Sequence, residues 1–167
     1  MPLQSGMMHT VAKPFKTGFV VGKFIPLHLG HLYLLTTALG RCDTLVILSY
    51  TSNDHGYSAD ARQAALEAHF PSALIKVLPP SADVPDDDAD AEVHREFCAK
   101  KIVEIGWPIP DVVFTSEDYG DGFVQYLSKF FDKPIAHVCV DKDRVVFPVS
   151  ATKIRNGELE YEKWSAM

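Results

Sequence analysis

From Thr17 onward the chain alternates short apolar runs with longer stretches whose apolar residues recur every three to four positions, the pattern of strands followed by helices. GFVVG, a β-branched apolar run, reads as the first strand; it leads through Ile25, Pro26 and Leu27 to a helix over 30–40, bounded by glycine. TLVILSY at 44–50 reads as a strand buried on both faces. The next helix spans 58–69, with Ala61, Ala64, Ala65 and Ala68 on one face, and ALIKVL at 73–78 is the third strand. Beyond the Pro- and Asp-rich stretch PPSADVPDDDADAE the pattern predicts a helix over 91–105 and a turn at 107–110. The strand DVVFTS, a helix over 119–131 and the strand IAHVCV at 135–140 follow. SATKIRNG then starts a short helix that runs toward Trp164.

Apolar strands separated by single helices imply parallel pairing, because parallel neighbours need a long, right-handed crossover. The fold class is therefore α/β: a Rossmann-like, doubly wound parallel sheet of about five strands with helices on both faces. Residues 1–15, with Gln, Ser, His, Lys and two prolines, read as a flexible tail, and 16–167 as a single domain. In such a sheet ligands bind outside the carboxyl ends of the strands, where strand order reverses. The segments that follow strands are thus where chemistry is expected.

Composition narrows the function. With 47% hydrophobic and 23% charged residues the chain is an ordinary globular one. Sixteen Lys and Arg against twenty-two Asp and Glu give a net charge of -6, the wrong sign for gripping nucleic acid over a broad face. Any anion site must be local. Three cysteines without a CxxC pair suit a reducing compartment, and no apolar run approaches the roughly 18 residues of a membrane span. The expectation is a soluble, cytoplasmic protein with no membrane and no nucleic-acid partner. A homo-oligomer is compatible with the sequence, which offers no apolar stripe to define it.

The most informative stretch is GKFIPLHLGH at 22–31, which places Lys23, His28 and His31 with Gly22 and Gly30 where a strand hands over to a helix. Free N–H groups and the dipole at a helix start favour an anion, and Gly30 lets a phosphate approach the backbone. His28 and His31 can each donate a hydrogen bond to phosphate oxygens while Lys23 supplies fixed positive charge. The alternative for a histidine at a helix start is a cap or surface role; the order of a P-loop is absent, and no cysteine or carboxylate sits at a spacing that would complete a zinc site with the two histidines.

A second strand-to-helix transition, VSATKIR at 149–155, has Ser150 as N-cap with Thr152, Lys153 and Arg155 in the first turn. Cations at a helix start oppose the macrodipole, and a bound anion resolves the conflict. The alternative is that Lys153 and Arg155 simply point to solvent.

GKFIPLHLGH followed more than a hundred residues later by VSATKIR resembles the nucleotidyltransferase superfamily defined by an H-x-G-H motif and a late S-x-T-x-I-R motif. More narrowly, the G-K-F-x-P-L-H-x-G-H form, the strand ending FTSED and the closing S-x-T-K-I-R are similar to the nicotinamide mononucleotide adenylyltransferase domain of bifunctional NAD-biosynthetic proteins, over roughly residues 16–156. The resemblance implies transfer of an adenylyl group from ATP to nicotinamide mononucleotide, with Mg2+ accompanying the ATP. It implies that His28, His31 and Lys23 act on the triphosphate in catalysis. Gly22, Phe24, Gly30, Ser150, Thr152, Lys153 and Arg155 would bind the nucleotide.

The chain departs from that pattern in three places. No kinase domain follows the S-x-T-K-I-R motif within these 167 residues, and no helix-turn-helix precedes Thr17. Where relatives present a tryptophan to stack on the pyridine ring, this chain reads DAEVHREFCAKK, leaving His94 or Phe97 as substitutes or a different acceptor. Trp107 reads as a packing residue in its Pro-rich turn. Acceptor-binding candidates are Asn53, Arg62, His94, Ser116 and Glu117, with Asp54, His55, Asp118 and Tyr119 beside them; for Ser116 and Glu117 a helix-start role is the alternative, for Asn53, Asp54 and His55 a role without a ligand, and for Arg62 covering its own helix. The six acids over 83–92 read as a solvated loop, with a lid as the functional alternative. Two other functions stay open: cytidylyl or adenylyl transfer to another phosphate-bearing acceptor, and a nucleotide-binding module without turnover.

Overall fold

The computed structural model describes residues 13–117, 119–141 and 150–167. Each predicted apolar run forms a strand, and each crossover carries a helix. In chain order these are β1 (Phe15–Val21), α1 (Leu29–Leu39), β2 (Cys42–Ser49), α2 (Ala59–His69), β3 (Leu74–Val77), α3 (Ala91–Ile105), β4 (Val112–Thr115), α4 (Gly120–Phe131), β5 (Ala136–Cys139), α5 (Ala151–Arg155) and α6 (Tyr161–Trp164). The strands make one parallel sheet in the order β3-β2-β1-β4-β5.

Strand order reverses beside β1. The chain steps outward from β1 to β3 on one side, then returns to lay β4 and β5 on the other. β1 pairs with β2 from Phe15 to Val21, but with β4 only at Gly18–Val112 and Phe19–Val113. A crevice at the carboxyl ends of β1 and β4 follows from this topology, and it is where a doubly wound sheet binds its ligand.

Successive strand residues face opposite sides, so the sheet separates two cores. Val20, Leu45 and Ile47 pack with Leu34, Leu35 and Ala38 of α1 and Leu66 of α2. Phe19, Val46, Leu48 and Val113 pack on the other face with Cys98, Ala99 and Ile102 of α3 and Phe123, Val124 and Leu127 of α4.

Local chemistry sets the helix ends. Ser58 Oγ accepts from the Ala61 N–H at 3.1 Å, and α3 stops at Gly106, whose φ of +83° suits glycine. On α2 the alanine face is not the buried one: Arg62 and Leu66 are buried, whereas Ala61, Ala64 and Ala68 are exposed. Leucine removes far more apolar area from water than alanine, so Leu66 decides which side faces the sheet.

β1 begins at Phe15, the last residue of the stretch read as tail. Its N–H donates to Arg41 O at 3.1 Å and its ring meets Phe114 edge-on. Residues 1–12 of that stretch, Asp118 and 142–149 lie outside the described residues. The C-terminal segment docks on the domain itself: Ala166 N donates to Leu27 O at 2.8 Å, and Ser165 bridges His28. No helix among the described residues is long and apolar enough to cross a membrane.

Candidate functional site

The loop after β1 is fixed from below before any side chain reaches a ligand. Gly22 N donates to Leu48 O at 3.1 Å, and a Cβ at Gly22 would stand 2.9 Å from the Phe24 ring, so only glycine leaves that ring its place. Phe24 is buried with a left-handed φ of 55°. The Lys23 carbonyl accepts from both Ser49 Oγ and Arg62 Nη1 at 3.0 Å. Lys23 extends its ammonium to Asp87, 3.3 Å away.

At the head of α1 the two histidines cap the helix reciprocally. His28 Nδ1 accepts from the His31 N–H at 3.3 Å, and His31 Nδ1 accepts from the His28 N–H at 3.1 Å. The rings stack with centroids 3.5 Å apart, and the His31 ring meets Phe24 edge-on. An accepting Nδ1 carries no proton, so each neutral ring presents Nε2 as its N–H donor. The helix start thus sets the tautomer that donation to a phosphate requires.

α5 completes this wall. Ser150 Oγ accepts from the Lys153 N–H at 3.2 Å, and Arg155 Nη1 donates to Ile25 O at 2.6 Å, tying α5 to the loop after β1. Gly22, Lys23, Phe24, His28, His31, Ser150, Thr152 and Arg155 all line one cavity of about 540 Å³. Gly30 lies in the first turn of α1, and exposed Lys153 is outside that lining.

The opposite wall comes from the other face of the sheet. His94, Arg95 and Cys98 of α3, Tyr119 and Phe123 at the start of α4, and Tyr50 after β2 line it, with Ser116 and Glu117 between. Tyr50 Oη sits 2.8 Å from His94 Nδ1 and 3.7 Å from Cys98 Sγ. Burial raises the pKa of the Tyr50 hydroxyl and pushes the Cys98 thiol up to about 12, so both stay protonated near neutrality. The turn carrying Ser116 and Glu117 is held by Thr115, which donates to Glu117 O at 2.8 Å and meets His137 Nε2 at 2.6 Å. His137 Nδ1 is in turn 2.9 Å from Asp121 Oδ1.

Two acceptor candidates stand elsewhere. Arg62 is fully buried, bonded to Tyr57 O, Lys23 O and Ser49 Oγ, so it supports the loop after β1 from inside instead of reaching a ligand. Asn53 spends its side chain within its own turn, accepting from the His55 N–H at 3.0 Å, and is not part of the lining. Of the two substitutes for a stacking tryptophan, His94 reaches the cavity, whereas Phe97 packs beneath Tyr50. Trp107 packs against the core of the α3 and α4 face.

Tyr50, Asp87 and Arg95 line the cavity without having been singled out from the sequence. Tyr50 looked like the end of an apolar strand and Arg95 like the solvent face of a helix. Asp87 accepts from Thr51 Oγ1 at 2.8 Å and from the Ser52 N–H at 2.9 Å. Burial alone would raise its carboxyl, but those donors and Lys23 together hold it below its ordinary range. One turn of the acidic run is therefore anchored at the end of β2. Among the described residues no three His, Cys, Asp or Glu gather as a metal site.

In sequence, no family and no curated protein matches the chain. In structure, the NadR protein in complex with NR superposes with a TM-score of 0.64 at 18% identity, over 90% of this chain and 43% of that one. The NadR protein in complex with NAD and AMP-PNP gives 0.62 at 18% identity, over 91% of this chain and 45% of that one. A bifunctional NMN adenylyltransferase/ADP ribose pyrophosphatase from Francisella tularensis gives 0.55 at 14%, over 92% and 45%. The chain spans less than half the length of these proteins. What they share with it is the fold, a Rossmann-like α/β domain built on a five-stranded parallel sheet.

Proposed function

We propose that the chain is a nucleotidyltransferase that moves the adenylyl group of ATP onto the phosphate of nicotinamide mononucleotide, giving NAD and pyrophosphate. The observation that carries this reading is the reciprocal cap of His28 and His31, which sets two Nε2 donors side by side at a helix start in the crevice. A protein that only stored a nucleotide has no need of two oriented donors beside one another. The fold is that of structures described as NMN adenylyltransferase and as NadR bound to NAD, which favours this acceptor over others.

In this reaction an oxygen of the acceptor phosphate attacks the α-phosphorus of ATP in line. The bond from that phosphorus to the bridging oxygen breaks, and pyrophosphate leaves with the electron pair. No covalent enzyme intermediate is formed. His28 and His31 donate to the oxygens on which charge builds, and Lys23 adds positive charge at the same place. Ser150, Thr152 and Arg155 hold the outer phosphates from α5. This is catalysis by positioning and preorganised donors. A Mg2+ ion accompanying the ATP would supply positive charge that neutralises the phosphates.

The test is product formation by the purified chain with Mg2+, ATP and nicotinamide mononucleotide, following NAD and pyrophosphate together, with CTP in a parallel reaction. His31→Ala should fold and lose about 100- to 1,000-fold in turnover. Near-normal turnover by the folded variant, or binding of neither ATP nor CTP by the wild type, overturns the reading.

A further inference from the structure

We infer that Ser165 and Ala166 are positioning residues for the histidine pair: their pairing with the backbone at 27–28 holds His28 in the extended conformation that its cap on α1 requires. The geometric half of this inference stands on the fold alone; its kinetic half rests on the function proposed above and deepens it.

The loop between β1 and α1 buries Phe24, Ile25 and Leu27, so its carbonyl groups need partners from within the protein. Three alternate carbonyls find them on separate segments. Lys23 O is held by Ser49 Oγ and Arg62 Nη1, and Ile25 O by Arg155 Nη1. Leu27 O accepts from the Ala166 N–H at 2.8 Å. This third carbonyl stands immediately before the cap residue, and His28 itself pairs with Ser165 as an antiparallel bridge.

β pairing and N-capping make the same demand on His28. Its backbone is extended, at φ −140° and ψ 176°, the region from which an N-cap side chain reaches over the first turn of its helix. An antiparallel partner selects that same region. The bridge therefore fixes the backbone from which His28 Nδ1 meets the His31 N–H, and so which ring nitrogen is left to face the cavity.

The partner segment is itself anchored, which lets it serve as a fixed support. His69, in the last turn of α2, has Nε2 3.0 Å from Ala166 O. Ala166 packs against the cluster that holds Leu34 and Leu35, and Tyr161 stacks on Tyr57 with centroids 6.4 Å apart. Residues 160–167 lie outside the lining of the cavity, so the segment acts through His28 and not on a ligand.

The experiment uses Ala166→Pro, which removes the N–H donor to Leu27 O, and Ala166→Ser, which keeps it. Ser165, at φ −72° and ψ 150°, already has the backbone that a following proline demands. Amide hydrogen exchange at His31 is read without substrate, and kcat and KM are read with ATP, nicotinamide mononucleotide and Mg2+. Ala166→Pro should speed exchange at His31 by about fivefold or more, with Leu34 and Leu35 at wild-type rates, and Ala166→Ser should leave all three unchanged. In Ala166→Pro kcat should fall about tenfold or more with the KM for ATP within about twofold of wild type. Unchanged His31 exchange in folded Ala166→Pro, an equal rise in Ala166→Ser, or a wild-type kcat overturns the inference. If Ala166→Pro does not fold, Tyr161→Ala loosens the segment from an exposed position, and unchanged His31 exchange in that variant overturns it equally. A wild type without turnover overturns the proposed function alone, and the exchange rates still decide the positioning.

Discussion

Lys23 Nζ lies 3.3 Å from Asp87 Oδ2, so a carboxylate of the chain already matches the cation assigned to a triphosphate. Lys23 is half exposed, and an ion pair in that setting contributes about 1 kcal/mol or less. An incoming triphosphate displaces it at small cost. Asp87→Asn keeps an acceptor for the Ser52 N–H, sets its NH2 as a donor toward Thr51 Oγ1, and removes the competing charge. We expect ATP to bind up to about fivefold more tightly to that variant. Calorimetric titration checks this, and weaker binding would mean that Asp87 assists the nucleotide instead.

Acid should loosen the same turn together with the far end of the sheet. Burial would raise the Asp111 carboxyl, but Lys133 at 2.7 Å and the Thr17 N–H at 2.9 Å outweigh it and hold it low, as Asp87 is held low by its own donors. A carboxyl lowered in the fold contributes stability that is complete above its unfolded value, near about pH 4, and is lost as pH falls through the folded value. Urea midpoints should therefore drop below about pH 4. Asp111→Asn should cost about 1 kcal/mol at pH 7 and flatten that acid limb. An identical limb in variant and wild type would assign the acid sensitivity to other groups.

Arg62 tests whether the loop after β1 depends on its buried support. Burial lowers the pKa of this guanidinium, and Nη2 has no hydrogen-bond partner among the described residues, so three bonds from Nε and Nη1 carry its role. Arg62→Ala should destabilise the fold by about 2–5 kcal/mol, since it leaves the Lys23 carbonyl and Ser49 hydroxyl without this donor and opens a cavity. Arg62→Lys should recover only part, because an ammonium lacks the fork. Denaturant unfolding of the two variants measures both effects, and a loss below about 1 kcal/mol in Arg62→Ala would show that the loop stands by itself.

Thr115 and His137 offer a way to disturb the wall proposed for the acceptor without touching the one that carries His28 and His31. Thr115→Val keeps the shape but removes the donor to Glu117 O and the partner of His137 Nε2. The expected cost is about 1–3 kcal/mol in stability, with a raised acceptor KM and little change in ATP affinity. Equal changes in both substrates would mean that the turn at 116–117 is coupled to the whole cavity.

Strand and helix order was legible because buried parallel strands are apolar throughout and the helices between them are bounded by serine, glycine and proline. The wall that carries His28, His31, Thr152 and Arg155 was legible for a related reason: its residues are contiguous in sequence at two strand-to-helix junctions, so spacing alone brings them into view. The second wall is assembled from Tyr50, His94, Arg95 and Ser116, which only the crossovers bring together. Arg62 misled for a different reason. A guanidinium on an alanine-rich helix looks exposed until its carbonyl partners, Tyr57 and Lys23, are placed.

Because each wall of the cavity is rooted in a separate hydrophobic cluster, with the sheet between them, the two walls are mechanically insulated from one another. Repacking of α3 or α4 can reshape one wall while the groups on α1 and α5 stay in register. Under the proposed function, a lineage built this way could change its acceptor by drift on one side of the sheet, without re-inventing the transfer step on the other.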